Sequence, residues 1–105
     1  MIHLQKTINE AWENRELLKE ASTEAAIREI IQLIDTGQLR CAEPTDNGWV
    51  VNDWVKKAVI LYFPIQKMET IEVGPFEFYD KMELKRNYAS RGVRVVPHAI
   101  ARYGS

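Results

Sequence analysis

Asn47-Gly-Trp-Val-Val-Asn-Asp-Trp-Val-Lys-Lys-Ala-Val-Ile-Leu-Tyr-Phe63 decides how the rest of this chain is arranged. It reads as a tight turn, a short strand and a helix too apolar for a surface. Asn52 is an N-cap residue whose side-chain oxygen can accept an orphan helix N–H. From there Val55, Ala58, Val59 and Tyr62 recur at i, i+3, i+4 and i+7 and define a core-facing stripe. Trp54, Ile60, Leu61 and Phe63 carry the apolar character around most of the circumference, leaving mainly Asp53, Lys56 and Lys57 for water, the pattern of a helix packed on several sides. Pro64 has no backbone donor and disfavours helical geometry at Phe63, so the helix is expected to stop there.

Working outward toward the N-terminus, Ile2 to Leu18 places Leu4, Ile8, Ala11 and Trp12 on one face of an amphipathic helix. Ser22 or Thr23 can cap a second helix with Glu24 in its first turn and Ile27, Ile30, Ile31 and Ile34 inward. Gly37 suits a left-handed C′ position, which ends that helix near Asp35 or Thr36. The two helices should form an antiparallel hairpin. Leu39 to Glu43 and Trp49 to Val51 flank Pro44-Thr-Asp-Asn-Gly48 as a small β-hairpin, with Asn47-Gly48 supplying positive φ angles.

Toward the C-terminus, Met68 to Val73 partly alternates, with Ile71 and Val73 on one face, and Gly74-Pro75 breaks it. Phe76 and Phe78 suggest another short strand, Glu83 to Ser90 a loop or short irregular helix, and Val93-Arg-Val-Val-Pro97 a strand ended by proline. His98 to Gly104 reads as an extended tail. The predicted fold class is α+β: an N-terminal helical hairpin, a small β-hairpin, a central buried helix and short C-terminal strands, in one domain over residues 1–105. Val93, Val95, Val96, Ile100 and Tyr103 are apolar with nothing after them to cover them, and an uncovered extended run is an unpaired edge. A truncated chain is the expectation.

A length of 105 residues holds one modest core. With 14 Lys+Arg against 15 Asp+Glu the net charge is -1, which gives no long-range pull toward nucleic acid or an anionic membrane. A nucleic-acid binder using Trp49, Trp54 and the arginines is therefore disfavoured. No apolar run approaches the roughly 20 residues that cross a bilayer. The lone Cys41 has no internal disulfide partner, and a reducing cytoplasm is the expected setting.

His3 and His98 stand at opposite ends with no ligand-spaced neighbour, so no metal site is expected. Cys41 reads as a small buried hydrophobe, Trp49 and Trp54 as core, and Lys56-Lys57 as a solvated helix face. Arg86, Arg91, Arg94 and Arg102 are the informative cations, because a guanidinium grips carboxylates and phosphates bidentately. Arg94, between Val93 and Val95, would point to the opposite face from both, as an edge gatekeeper or a ligand contact. No phosphate loop, Ser-His-Asp set or pair of catalytic carboxylates is present.

Leu39-Arg-Cys-Ala-Glu43, Gly48-Trp-Val50 with Trp54-Val-Lys-Lys-Ala-Val-Ile-Leu61, and Gly92-Val-Arg-Val-Val-Pro97 followed by Ala101-Arg-Tyr-Gly104 resemble the N-terminal domain of the 2,3,4,5-tetrahydropyridine-2,6-dicarboxylate N-succinyltransferases. The opening helices and Asp35-Thr-Gly-Gln-Leu-Arg40 are similar too, while Glu83 to Ser90 is shorter than in some members. The resemblance implies a cytoplasmic homotrimeric acyltransferase of lysine and diaminopimelate biosynthesis. Its substrates would be succinyl-CoA and the dicarboxylate L-2-amino-6-oxopimelate. It also implies that the catalytic carboxylates and CoA-binding groups lie in a following left-handed β-helix of hexapeptide repeats. None of those repeats is in this sequence, so no catalytic residue and no bound cofactor is expected here, and the chain alone should be inactive. One family site maps onto a residue present: Arg94, as a substrate contact. The alternative is a self-contained interaction module that pairs through its C-terminal strand.

Overall fold

Leu4, Ile8 and Ala11 fall on one stripe of α1 (Ile2–Glu13), and Ala26, Ile27, Ile30 and Ile31 on one stripe of α2 (Ala21–Asp35). Both stripes need a cover, and α3 (Asp53–Ile65) supplies it with Val55, Ala58, Leu61 and Tyr62. In the computed structural model, which describes residues 1–105, each helix packs on the other two. Of the 14 buried residues every one except Met82 belongs to these helices, so the helices are the core.

Two antiparallel hairpins stand away from that core. The first joins β1 (Ala42–Thr45) to β2 (Gly48–Val51), the second β3 (Glu69–Val73) to β4 (Phe76–Asp80), and neither packs substantially on a helix. The Cα radius of gyration, 15.8 Å, exceeds the roughly 13 Å of a compact chain this long, and the projecting hairpins account for the excess. In β3–β4 the register Ile71↔Phe78 and Val73↔Phe76 gathers apolar side chains on one face, and Glu72↔Glu77 sets like charges opposite each other on the other. Gly74 opens the two-residue turn at φ 56, a left-handed value that glycine adopts without a Cβ penalty.

The α+β class and the order of elements as far as β4 match the sequence reading, with local corrections, among them a first strand at Ala42–Thr45 in place of Leu39 to Glu43. The first helix stops at Glu13, and Arg15–Lys19 forms a separate 3₁₀ turn capped by the Asn14 side chain, which accepts from Glu16 N–H. Helix α2 begins at Ala21, ahead of the predicted Ser22 or Thr23 cap. Asn52 occupies the N-cap of α3 but caps no helix N–H. Its Nδ2 donates to the Arg40 carbonyl at 2.8 Å and its backbone N–H to the Cys41 carbonyl at 2.7 Å, which ties the helix start to the preceding hairpin.

Pro64 lies inside α3, not after it. Its missing N–H removes the i→i−4 bond to the Ile60 carbonyl, one bond lost at the very end of the helix, and the Phe63 carbonyl accepts from both Gln66 N–H and the Lys81 ammonium. In the first hairpin only Gly48, and not Asn47, takes a positive φ. Trp49 is 72% exposed, against the expectation of a core position, because its hairpin does not fold onto the helices. Ile60 and Phe63 are also exposed, so α3 is packed on fewer sides than its composition suggests. Cys41 is half-buried beside the core.

Trp12 links α1 to α3. The Arg15 guanidinium sits 4.8 Å from its ring centroid and the Lys57 ammonium, reaching over from α3, at 5.6 Å.

Candidate functional site

The cations singled out in the sequence belong to one irregular stretch, and two short backbone pairings give that stretch its shape. Lys85 N–H donates to the Ala101 carbonyl at 2.9 Å and Tyr103 N–H to the Glu83 carbonyl at 2.8 Å, making an antiparallel bridge at Leu84↔Arg102. Residues 86–100 are the loop that this bridge closes. Its first half winds into a turn in which Val93 and Arg91 N–H bond the Tyr88 carbonyl and Arg91 also bonds that of Asn87, with Asn87 at φ 63. From Arg94 to Ile100 the backbone makes one internal bond, Ala99 N–H to the Val96 carbonyl.

The predicted strand at Val93–Pro97 is therefore absent: no neighbouring strand offers its donors and acceptors a partner. Arg94 is exposed and makes no ion pair or side-chain hydrogen bond within the chain, which leaves its guanidinium fork available. Val93, Val96 and Ile100 are exposed around it, Val95 is half-buried and Tyr103 packs on the core.

The other arginines are engaged or elsewhere. Arg102 reaches Asp80 at 3.3 Å, and Arg91 reaches Asp35. Arg86 lines a cleft of about 760 Å3 between the end of α2, the end of α3 and the loop stem, together with Arg28, Lys67, Glu69 and Lys85. The structure does not bring Arg94 into that cleft's lining. No group of three or more His, Cys, Asp or Glu side chains gathers anywhere, and no helix is long and apolar enough to cross a membrane.

The residue that organises the loop is Asp35, read from the sequence only as a helix end. Its side chain is 3% exposed. Oδ1 accepts from Gly104 N–H at 3.0 Å and lies 3.2 Å from the Lys85 ammonium, and Oδ2 accepts from Arg91 at 3.3 Å. Burial would raise its pKa, but the Gly104, Lys85 and Arg91 donors together outweigh burial and hold the carboxyl below the ordinary aspartate value. An acid in the last turn of a helix faces the negative end of the dipole, and that placement was the available hint that cations must come to it from elsewhere. Burial pushes the nearby Tyr103 phenol up, and the Asp35 and Glu83 carboxylates push it in the same direction.

Two comparisons bear on this arrangement. The sequence profile of the family described as tetrahydrodipicolinate N-succinyltransferase N-terminal matches residues 3–65, which is α1 through α3. The chain belongs to that family. Curated relatives extend the match across the loop. The 2,3,4,5-tetrahydropyridine-2,6-dicarboxylate N-succinyltransferases of Azoarcus sp. (strain BH72) and Alkalilimnicola ehrlichii are each 44% identical over 100% of this chain, and that of Bordetella petrii is 41% identical over 99%.

The chain spans 42% of the length of each of those relatives. The alignment with the Azoarcus protein runs over 115 positions against the 105 residues of this chain, so this chain is the shorter across the shared region.

Proposed function

We propose that this chain is the N-terminal domain, residues 1–105, of an acyltransferase that moves the succinyl group of succinyl-CoA onto the amino group of L-2-amino-6-oxopimelate in lysine and diaminopimelate biosynthesis. The family membership and the names of the relatives support the transferase assignment. The role of this part is substrate capture: Arg94 grips one carboxylate of the dicarboxylate. The single observation carrying that role is the state of Arg94, exposed in a loop held at its base, with no acid of the chain taking its guanidinium. A carboxylate seated on a planar fork is fixed in orientation as well as in charge, which brings the amine to the acyl donor in a defined pose.

Acyl transfer itself needs a base and a thioester site. This reading places both, with the CoA contacts, outside these residues, and it includes a cytoplasmic homotrimer. Exposed apolar side chains on the hairpins and the loop support assembly with further protein.

CoA release from succinyl-CoA by the complete gene product tests the reading, with the 105-residue chain as control. The expected result is release by the complete protein alone, and a rise of about tenfold or more in KM for the dicarboxylate on Arg94→Ala with the KM for succinyl-CoA unchanged. Turnover by the isolated chain, or an Arg94→Ala protein with wild-type KM for the dicarboxylate, refutes it.

A further inference from the structure

We infer that Asp35 is the positioning residue for the Arg94 loop, a carboxylate on α2 that fixes where the substrate-binding guanidinium is presented. This rests on the reading of Arg94 given above and extends it to a residue that touches no substrate. The geometry is specific to such a task. The three donors that meet Asp35 come from both stems of the 86–100 loop, Lys85 before it and Gly104 after it, and from Arg91 at the end of its only wound turn, three residues short of Arg94. Beyond Val93 the loop has almost no backbone bonding of its own, so the course of Arg94 to Ile100 depends on what holds its ends.

The bridge at Leu84↔Arg102 closes the loop but does not orient it against the helices. Met82 and Tyr103 pack the two stems on the core, and Asp35, on an α2 that belongs to that core through Ile27, Ile30 and Ile31, adds the tie that reaches past them to the wound turn at Arg91. A carboxylate is also the group suited to the position. It accepts from an ammonium, a guanidinium and a backbone N–H at once without a donor of its own that would go unsatisfied. With the Asp35 charge neutralised, Lys85 and Arg91 lose their common anchor, and a displacement of about 1 Å at Arg94 is enough to lower productive binding by one to two orders of magnitude.

The test uses the complete gene product and three variants, Asp35→Asn, Arg91→Gln and Arg94→Ala, each read two ways. The first readout is steady-state kinetics at a temperature where circular dichroism shows the variants folded. Asp35→Asn is expected to raise KM for the dicarboxylate about tenfold while KM for succinyl-CoA stays within about twofold, and Asp35→Asn with Arg91→Gln is expected to be no worse than Asp35→Asn alone. The second is amide hydrogen exchange, which needs no activity: the bonded amides of Val93, Tyr103 and Gly104 should exchange faster in Asp35→Asn and in Arg91→Gln, with α1 unaffected.

Should Asp35→Asn fail to fold, Arg91→Gln carries the test, since that side chain is 37% exposed and its loss leaves no cavity. Unchanged exchange at Val93, Tyr103 and Gly104, or unchanged KM for the dicarboxylate in Asp35→Asn and Arg91→Gln while Arg94→Ala raises it, overturns the inference and leaves the role of Arg94 standing. A wild-type KM in Arg94→Ala overturns that role instead.

Discussion

Ile60 and Leu61 are neighbours of nearly equal volume on α3, and the sequence alone does not say which one the core needs. The structure separates them: Leu61 is fully buried and Ile60 is 40% exposed. Truncating Leu61 to Ala removes buried methyl groups and leaves a cavity between α3 and its two neighbours, at a cost of about 2–5 kcal/mol. The same truncation at Ile60 strips side-chain atoms already partly in water and costs about 1 kcal/mol. A chain of 105 residues has a total stability of about 5–15 kcal/mol, so the first change removes a large share of it and the second does not. Urea unfolding followed by far-ultraviolet circular dichroism resolves them. With a slope of about 1–3 kcal/mol per molar, Leu61→Ala should lower the midpoint by about 1–2 M and Ile60→Ala by about 0.5 M, at constant slope. Equal midpoints for the two variants, or the reverse order, refute the assignment of the buried face of α3.

Because the folded pKa of Asp35 lies below the unfolded value, its contribution to stability is complete above about pH 5 and is lost as pH falls through about 4 and below. Midpoints measured from pH 7 to pH 3 should therefore fall steeply only at the acid end, and less steeply in Asp35→Asn. Trp49→Ala should change stability by no more than about 0.5 kcal/mol, measured by the same unfolding, since its side chain stands in water. Gly104→Ala should cost about 1–3 kcal/mol, or release the C-terminal segment to faster hydrogen exchange. Its φ is +90, which strains any residue with a Cβ, and that Cβ would stand 3.0 Å from Ile31 Cγ2, so the methyl must also give way slightly.

What the sequence made legible was what repeats. Ile27, Ile30 and Ile31, and Val55, Ala58 and Tyr62, announce their helices because burial on one face imposes a helical period on the apolar residues, and the structure buries all six. The two strands either side of Gly74-Pro75 were legible as strands, and their pairing as β3 and β4 came from the structure. Tertiary placement was not. Trp49 carries the same aromatic signal whether its hairpin folds inward or projects, and Val93-Arg-Val-Val-Pro97 reads as a strand whether or not a partner strand exists. Asp35 was missed because its partners lie fifty or more residues away, at Lys85, Arg91 and Gly104, beyond the reach of any local pattern. Arg94 stands out in the sequence as a cation between two valines, but nothing in that local pattern distinguishes an edge residue from a ligand contact.

The cation stack on Trp12 has a practical use. Of the three indoles in the chain, that of Trp49 stands in solvent, whereas Trp12 shares its ring with a guanidinium of its own neighbourhood and an ammonium from a different helix. Its fluorescence is thus a built-in gauge of the spacing between α1 and α3. In a background with Trp49→Phe and Trp54→Phe only this indole emits, and a shift in its emission on Lys57→Met would show, without any attached dye, that the ammonium from α3 lies over the ring.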